Sequence, residues 1–162
     1  MKVRAKKSLG QNFLIDKDIL KKIVDLVKIK DETILEVGPG TGNLTSFILE
    51  KEPKQLLVVE KDNELVSILN KNFDKKITII NEDILKVNEK DISKNPIVVF
   101  GNLPYNISTE IICKWILNLN NQDFWFNNLI LMSLLIKIRV DIFLYNDIYS
   151  SYYKLSKWVI TL

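Results

Sequence analysis

The stretch that decides the fold is LEVGPGTG, residues 35–42, in which an apolar run enters a turn with glycine at every second position. Gly38, Gly40 and Gly42 permit a tight turn and let the backbone approach a ligand closely. Residues 43–51 read as a helix, whose first N–H groups would point to the same place. We therefore expect a strand, a ligand-binding turn and a helix. A strand-to-helix turn with a purely structural role is the alternative.

Short apolar runs alternate with amphipathic stretches on both sides of this turn. Strands are predicted at 33–37, 56–60, 77–80 and 97–100, and helices at 16–28, 43–51, 62–73 and 108–117, with N-caps at Asp16, Asp62 and Ser108; a further apolar run lies at 129–132. Continuously apolar strands are typical of parallel sheets covered by helices on both faces. The pattern predicts an α/β fold, an open doubly wound sheet of the Rossmann-like type, which binds ligands beyond the carboxyl ends of its strands.

Composition removes several kinds of chemistry. The 162 residues suffice for one domain with a core, and they include no histidine. Ser-His-Asp and Cys-His catalysis are therefore excluded, as are most zinc sites. The single cysteine, Cys113, excludes an internal disulfide and a cysteine-based metal site, so we expect no metal. Its neighbours in IICKWIL are apolar, which favours a buried position for Cys113.

Charge is concentrated at the N-terminus, although the formal net charge is only +3. Residues 1–10 form a basic arm without an acid, and it contains Lys2, Arg4, Lys6 and Lys7. Such an arm suits contacts with nucleic-acid phosphates, but a solvated terminus explains the charge equally well. We see no signal peptide and no apolar run near the roughly 18 residues that cross a bilayer, so a cytoplasmic protein is expected.

Glu60 ends the second predicted strand, 22 positions after Gly38. A carboxylate there can accept the hydroxyl protons of a ribose, in nicotinamide and S-adenosylmethionine (SAM) enzymes alike, whereas a solvated acid is the alternative. The nicotinamide fingerprint G-x-G-x-x-G needs glycine where this chain has Asn43. The spacing G-x-G-x-G after Glu36 instead resembles motif I of SAM-dependent methyltransferases, whose loop wraps the methionine end of the cofactor.

Two further motifs follow later strands. NEDIL, residues 81–85, puts Asp83 where it can accept the amino hydrogen of the cofactor's adenine, with Ile84 against the ring face. NLPY, residues 102–105, resembles the [DNS]-P-P-[YFW] motif of amino-methyltransferases.

The chemistry of amine methylation explains the residue types in NLPY. The Asn102 side-chain oxygen and the Leu103 carbonyl can each accept an N–H of an aromatic amine and so aim its lone pair at a methyl group. Pro104 fixes the turn, and Tyr105 offers a face for an extruded base. Positioning and polar preorganisation would supply most of the rate, so no histidine base is required. A structural Asn-x-Pro turn is the alternative.

Together the motifs resemble the ribosomal RNA adenine dimethyltransferases. The segments that carry the resemblance are SLGQNFLID (8–16), EVGPGTGNLT (36–45), VVEKD (58–62), EDIL (82–85) and FGNLPYNIST (100–109). It implies SAM as the cofactor and dimethylation of adjacent adenosines in small-subunit rRNA, as free RNA or within a pre-ribosomal subunit, by a monomer. It further implies cofactor contacts from Gln11, Asn12, Leu14, Gly38, Glu60, Asp83 and Asn102, and phosphate contacts from Arg4, Lys6 and Lys7.

The resemblance covers residues 6–132 and stops there, so we predict a SAM-binding domain at 1–132 and a divergent tail at 133–162. The family's last strands and helical domain are missing or altered in the tail, which would leave an open sheet edge. A shifted reading frame is our hypothesis for this change, and the gene sequence beyond Met132 would test it. Alternatives for function are a remnant that binds SAM or RNA without turnover, a nicotinamide dehydrogenase and a DNA adenine methyltransferase.

Overall fold

The structure is a computed structural model that describes residues 15–103, 107–117, 125–132, 137–141 and 158–161. Within these ranges lie the helices α1 (Lys17–Val24), α2 (Asn43–Leu49), α3 (Asn63–Phe73) and α4 (Ser108–Leu117). The strands are β1 (Thr33–Val37), β2 (Gln55–Val59), β3 (Thr78–Ile80), β4 (Ile97–Gly101), β5 (Phe126–Leu131), β6 (Lys137–Asp141) and β7 (Trp158–Thr161).

The helix starts follow the predicted caps. The Asp16 carboxylate accepts hydrogen bonds from the backbone N–H groups of Asp18 and Ile19, and Asp62 accepts one from Glu64. The first helix ends at Val24, four residues before the predicted end. After the helix the chain turns, and Ile29 is buried in the same core as Ile23 and Val24 of the helix.

All strands lie in one sheet of order β3-β2-β1-β4-β5-β6-β7. The strands from β1 to β5 pair in parallel, as predicted, while β6 is antiparallel to β5 and β7 is antiparallel to β6. The last strands, which were expected to be missing or altered, are represented in the tail by β6 and β7, and β6 pairs with the edge of β5 that was expected to stay open. The tail as a whole lacks a clear period, so the short alternation of polar and apolar residues in β6, KIRVD, was missed.

The core is divided between the two faces of the sheet. Side chains alternate along each strand, so Ile34 packs with α1 and α2 while its neighbour Leu35 packs with α4. On β4, Phe100 packs on the same face as Ile34, and Val99 packs on the same face as Leu35. All four side chains are fully buried. Helices thus cover both faces of the parallel strands, as the continuous apolar runs predicted.

Cys113 corrects one expectation, because its side chain is exposed. The buried face of α4 is formed by Ile111 and Trp115, which are four residues apart and therefore lie on one side of the helix. Cys113 is two residues from each and points away from the sheet. Its apolar neighbours in sequence are thus not its neighbours in space.

In the ranges given above, no helix has the length and apolar character needed to cross a membrane.

Candidate active site

The predicted site residues follow the carboxyl ends of four adjacent parallel strands. Because β1 lies between β2 and β4, the chain leaves these strands in opposite directions along the sheet, which opens a crevice at their ends. Backbone hydrogen bonds continue past the strand ends: Gly38 N–H donates to Val59 O (3.1 Å) and Asn102 N–H donates to Val37 O (3.1 Å). The segments after β1, β2 and β4 are therefore held side by side.

The glycine turn, residues 38–42, needs two of its glycines for different reasons. All three glycines have positive φ, 70° at Gly38, 61° at Gly40 and 88° at Gly42. A Cβ at Gly38 would lie 3.0 Å from the backbone oxygen of Asn102, so this glycine lets the two segments approach each other. A Cβ at Gly42, the N-cap of α2, would lie 2.3 Å from the Phe73 ring, so this glycine lets α2 pack against α3.

A pocket of about 270 Å³, counting space that is open to solvent, lies in front of the turn. Its lining combines the turn, the start of α2, the end of β4 and one residue after β5; the residues are Glu36, Gly38, Pro39, Thr41, Asn43, Leu44, Asn102 and Met132. Three strand ends and one helix N-terminus therefore face a common space. N–H groups at a helix N-terminus favour anionic or polar ligand groups.

Glu36 is a carboxyl group to which the sequence analysis assigned no role. It lies within β1, is 1% exposed, and accepts a hydrogen bond from the Thr45 hydroxyl (2.7 Å). The pKa of Glu36 is raised to about 8, chiefly because the carboxyl group is buried; the Thr45 hydrogen bond opposes this rise, and the nearby Glu60 adds to it. Glu36 is therefore mostly protonated at neutral pH. The signal in the sequence was an acid inside an otherwise apolar strand.

Glu60 directly follows β2, and its carboxylate is 7% exposed. One carboxylate oxygen accepts the Asp62 N–H (3.0 Å) and the other accepts the Gly40 N–H (3.4 Å). Burial raises the pKa of Glu60, and these backbone bonds oppose that rise. A carboxylate has about four acceptor positions, so Glu60 retains capacity for hydroxyl donors while it ties β2 to the glycine turn.

Asp83 lies in the turn after β3, and its side chain is partly buried. Its Oδ1 accepts the Leu85 N–H (3.1 Å), and Lys61 Nζ is 3.5 Å from its Oδ2. The neighbouring Ile84 is 6% exposed and packs in the core on the α4 side of the sheet. The predicted adenine-binding pair thus stands at the same edge of the sheet as Glu60.

Asn102 is half-buried at the end of β4, where it lines the pocket, and the side chain of Leu103 is buried. The remaining predicted site residues lie outside the described ranges: Pro104, Tyr105, Gln11, Asn12, Leu14, Arg4, Lys6 and Lys7. Within those ranges no group of three or more His, Cys, Asp or Glu side chains is placed to hold a metal ion.

The fold and the position of this site define the class of protein. The 23S rRNA methyltransferase ErmE is 25% identical with a TM-score of 0.62, and the alignment covers 74% of this chain and 47% of that one. A dimethyladenosine transferase from Plasmodium falciparum is 29% identical with the same TM-score, over 74% of this chain and 42% of that one. The fold is that of the Rossmann-like, SAM-dependent methyltransferases.

The family can be stated more closely. The family described as ribosomal RNA adenine dimethylase matches residues 2–134, and the chain belongs to this family. A ribosomal RNA small subunit methyltransferase A from Pelagibacter ubique is 60% identical over 132 residues, 82% of this chain and 50% of that protein. One from Wolbachia pipientis subsp. Culex pipiens is 47% identical over 135 residues, 80% of this chain and 49% of that protein. The chain spans about half the length of the curated relatives it matches.

Proposed function

We propose that residues 1–132 form the SAM-binding, methyl-transferring domain of an enzyme that dimethylates the exocyclic amines of adjacent adenosines in small-subunit rRNA. The observation that carries this proposal is the approach of the Asn102 backbone to the glycine turn, where even a Cβ at Gly38 would lie 3.0 Å from the backbone oxygen of Asn102. The turn proposed to bind the cofactor, residues 38–42, and the turn proposed to bind the amine, at Asn102, are thus adjacent. Free rRNA or a pre-ribosomal subunit is the partner, and a cytoplasmic monomer acts on it. Residues 133–162 form a divergent tail, which contributes β6 and β7 to the same sheet.

The residues present fit SAM. Gly38 lines the pocket without a side chain of its own, so that a ligand can approach the backbone there, which suits the methionine end of the cofactor. Glu60 keeps acceptor capacity for the ribose hydroxyls, and Asp83 offers a carboxylate for the adenine amine. Gln11, Asn12 and Leu14 belong to the same proposed set through the family motif. When bound, SAM supplies a methyl group activated by its attachment to a sulfonium.

Asn102 and Leu103 act on the substrate amine in this proposal. An adenine amine is a weak nucleophile because its lone pair is delocalised into the ring. Two acceptors, the Asn102 side-chain oxygen and the Leu103 carbonyl, orient both N–H bonds and direct the lone pair towards the pocket. The methylated ammonium loses its proton readily, so the site needs no strong base. Pro104 holds the turn, Tyr105 stacks the base, and Arg4, Lys6 and Lys7 bind phosphates.

The test combines SAM calorimetry with transfer of labelled methyl groups to undermethylated small ribosomal subunits. Asn102→Ala removes one of the two amine acceptors, and we expect transfer to fall by about 10²–10³-fold. SAM binding should weaken much less than transfer, because Gly38, Glu60 and Asp83 keep their cofactor contacts. Asn95→Ala, an exposed change in the loop before β4, is the matched control and should retain the native rate. Native transfer by Asn102→Ala would contradict the proposed chemistry.

The alternative is a chain that binds SAM or RNA without turnover. The observation that favours it is that the family match ends at residue 134, so that only about half of each curated relative is represented. The same experiment separates the two functions. SAM binding with no transfer to subunits, in the native chain and both variants, supports the non-catalytic alternative.

A further inference from the structure

Lys114 on α4 reaches across to the segment that follows β3. Its ammonium group donates to the backbone oxygen of Ile84 (2.8 Å), to that of Val87, and to the Glu89 carboxylate (2.7 Å). An ammonium has three N–H donors, and the three acceptors all belong to residues 84–89. A long helix side chain is thus bound to one segment of the chain, with only 20% of its surface exposed.

Glu89 receives a second donor from the same helix. Its side chain is 3% exposed, and its Oε1 accepts the indole N–H of the fully buried Trp115 (2.7 Å) as well as the Lys114 ammonium. A buried ion pair of this kind adds little net stability compared with apolar residues, but it tolerates few other arrangements. It therefore fixes where α4 and the segment 84–89 lie relative to each other.

The segment held in this way begins inside the Asp83 turn. Asp83 Oδ1 accepts the Leu85 N–H (3.1 Å), and the Asp83 backbone oxygen accepts the Lys86 N–H (2.8 Å). These local bonds shape the turn. Its position on the protein is held by the Ile84 side chain, which is buried in the core on the α4 side, and by the bond from Lys114 to Ile84 O, which ties the backbone of the same residue to α4.

We propose that Lys114, held by Glu89, is a positioning residue that places the Asp83 carboxylate and thereby sets the preference for a 6-amino purine at the cofactor site. The inference rests on the proposed function, since it takes Asp83 as the group that accepts the cofactor's adenine amine. Lys114 itself contacts no cofactor. It acts through the backbone of the turn, and its loss moves the acceptor without removing it.

The experiment compares two ligands that differ at one position of the purine. S-adenosyl-L-homocysteine carries an amine at position 6 of the purine, which can donate to the Asp83 carboxylate. S-inosyl-L-homocysteine carries a carbonyl at this position, and two acceptor groups repel each other. We expect the native chain to bind the adenosyl compound at least about tenfold more tightly, the discrimination of one hydrogen bond to a charged group. Competition calorimetry gives the ratio of the two dissociation constants in one protein sample. If part of the protein is unfolded, both apparent affinities are lowered alike and their ratio is unchanged.

The variant is the double substitution Lys114→Met with Glu89→Gln. Lys114→Met alone would leave a buried carboxylate without its cation and risks unfolding, whereas the double variant removes both charges and keeps an acceptor for Trp115. In the double variant, we expect the dissociation constants of the two compounds to differ by no more than about threefold, because Asp83 is no longer held at the amine. Lys90→Met, an exposed change next to Glu89, makes the same substitution outside the contact and should keep the native ratio.

Each outcome decides between the inference and the function on which it rests. A native ratio in the double variant overturns the inference alone, and so does equal loss of discrimination in Lys90→Met. Failure of the native chain to bind the adenosyl compound overturns the cofactor assignment and the inference with it. Equal binding of both compounds by the native chain leaves the cofactor assignment standing but overturns the role of Asp83, and with it the inference. Loss of discrimination in the double variant only, with the adenosyl compound still bound by the native chain, supports both.

Discussion

Glu36→Gln tests the state of the carboxyl group buried at the base of the pocket. Glutamine has nearly the same shape and can still accept the Thr45 hydroxyl, but it carries no charge at any pH. The exchange therefore removes one titration and little else. It isolates the free energy that Glu36 contributes to folding as a function of pH.

The expected magnitude follows from the pKa of Glu36, about 8 in the folded chain against an ordinary value of 4.5. Between these values the folded chain holds a proton that the unfolded chain has released, so the stability contributed by the neutral acid is complete below pH 4.5 and is lost as pH rises to about 8. At about 1.36 kcal/mol per pH unit, this window corresponds to a loss of at most about 5 kcal/mol. Domains of this size have only about 5–15 kcal/mol in total.

Urea unfolding followed by tryptophan fluorescence, at intervals from about pH 4.5 to about pH 8.5, measures the effect. The free energy of unfolding of the native chain minus that of Glu36→Gln should fall steadily across this range and then level off. The titration of Glu60 occurs in both chains and cancels in the difference. Glu110→Gln, an exposed change on α4, controls for the loss of one carboxyl group. A difference that stays constant within about 1 kcal/mol would refute the argument.

Three further changes test the geometry of the site and of α4. Gly38→Ala should weaken SAM binding at least about tenfold by calorimetry and lower the free energy of unfolding in urea by about 1–2 kcal/mol. Both effects are expected because residue 38 has a positive φ and its Cβ would meet the backbone oxygen of Asn102. Gly42→Ala should lower the free energy of unfolding by about 1–3 kcal/mol, because its Cβ overlaps the Phe73 ring; unchanged stability would show that the ring moves aside. Cys113 should react with a thiol reagent in the folded chain nearly as fast as in urea, and strong protection would contradict its exposed position.

The central part of the fold could be predicted because its physical signals are local. Apolar runs bounded by glycine and acids marked β1, β2 and β4 to within one residue, and Asp16 and Asp62 marked helix starts through their own hydrogen bonds. Parallel order follows from strand-helix alternation, and with it the arrangement of the site, since parallel strands bring their carboxyl ends to one edge.

Features that depend on distant partners could not be predicted in the same way. The bonds of Lys114 to residues 84–89 join segments that are far apart in the chain. Neither segment carries a sequence pattern that indicates contact with the other. Cys113 was misplaced because an apolar sequence context does not say which side of a helix faces the sheet. The antiparallel strands depend on pairing with distant partners, β6 with β5 and β7 with β6. Residues 137–141 of β6, KIRVD, do alternate polar and apolar side chains, but five residues in a tail of poor overall periodicity did not mark a strand.

The position of β1 between β2 and β4 has a consequence for how the molecule is made. During synthesis β2 is available soon after β1, but β4 emerges only when Ile97–Gly101 has been translated, and until then one side of β1 has no partner. The glycine turn therefore exists in a nascent chain well before Asn102 can dock beside it. A ligand that needs both the glycine turn and Asn102 would bind only after β4 has paired with β1. Binding of such a ligand to a nascent chain would therefore show that β4 has joined the sheet.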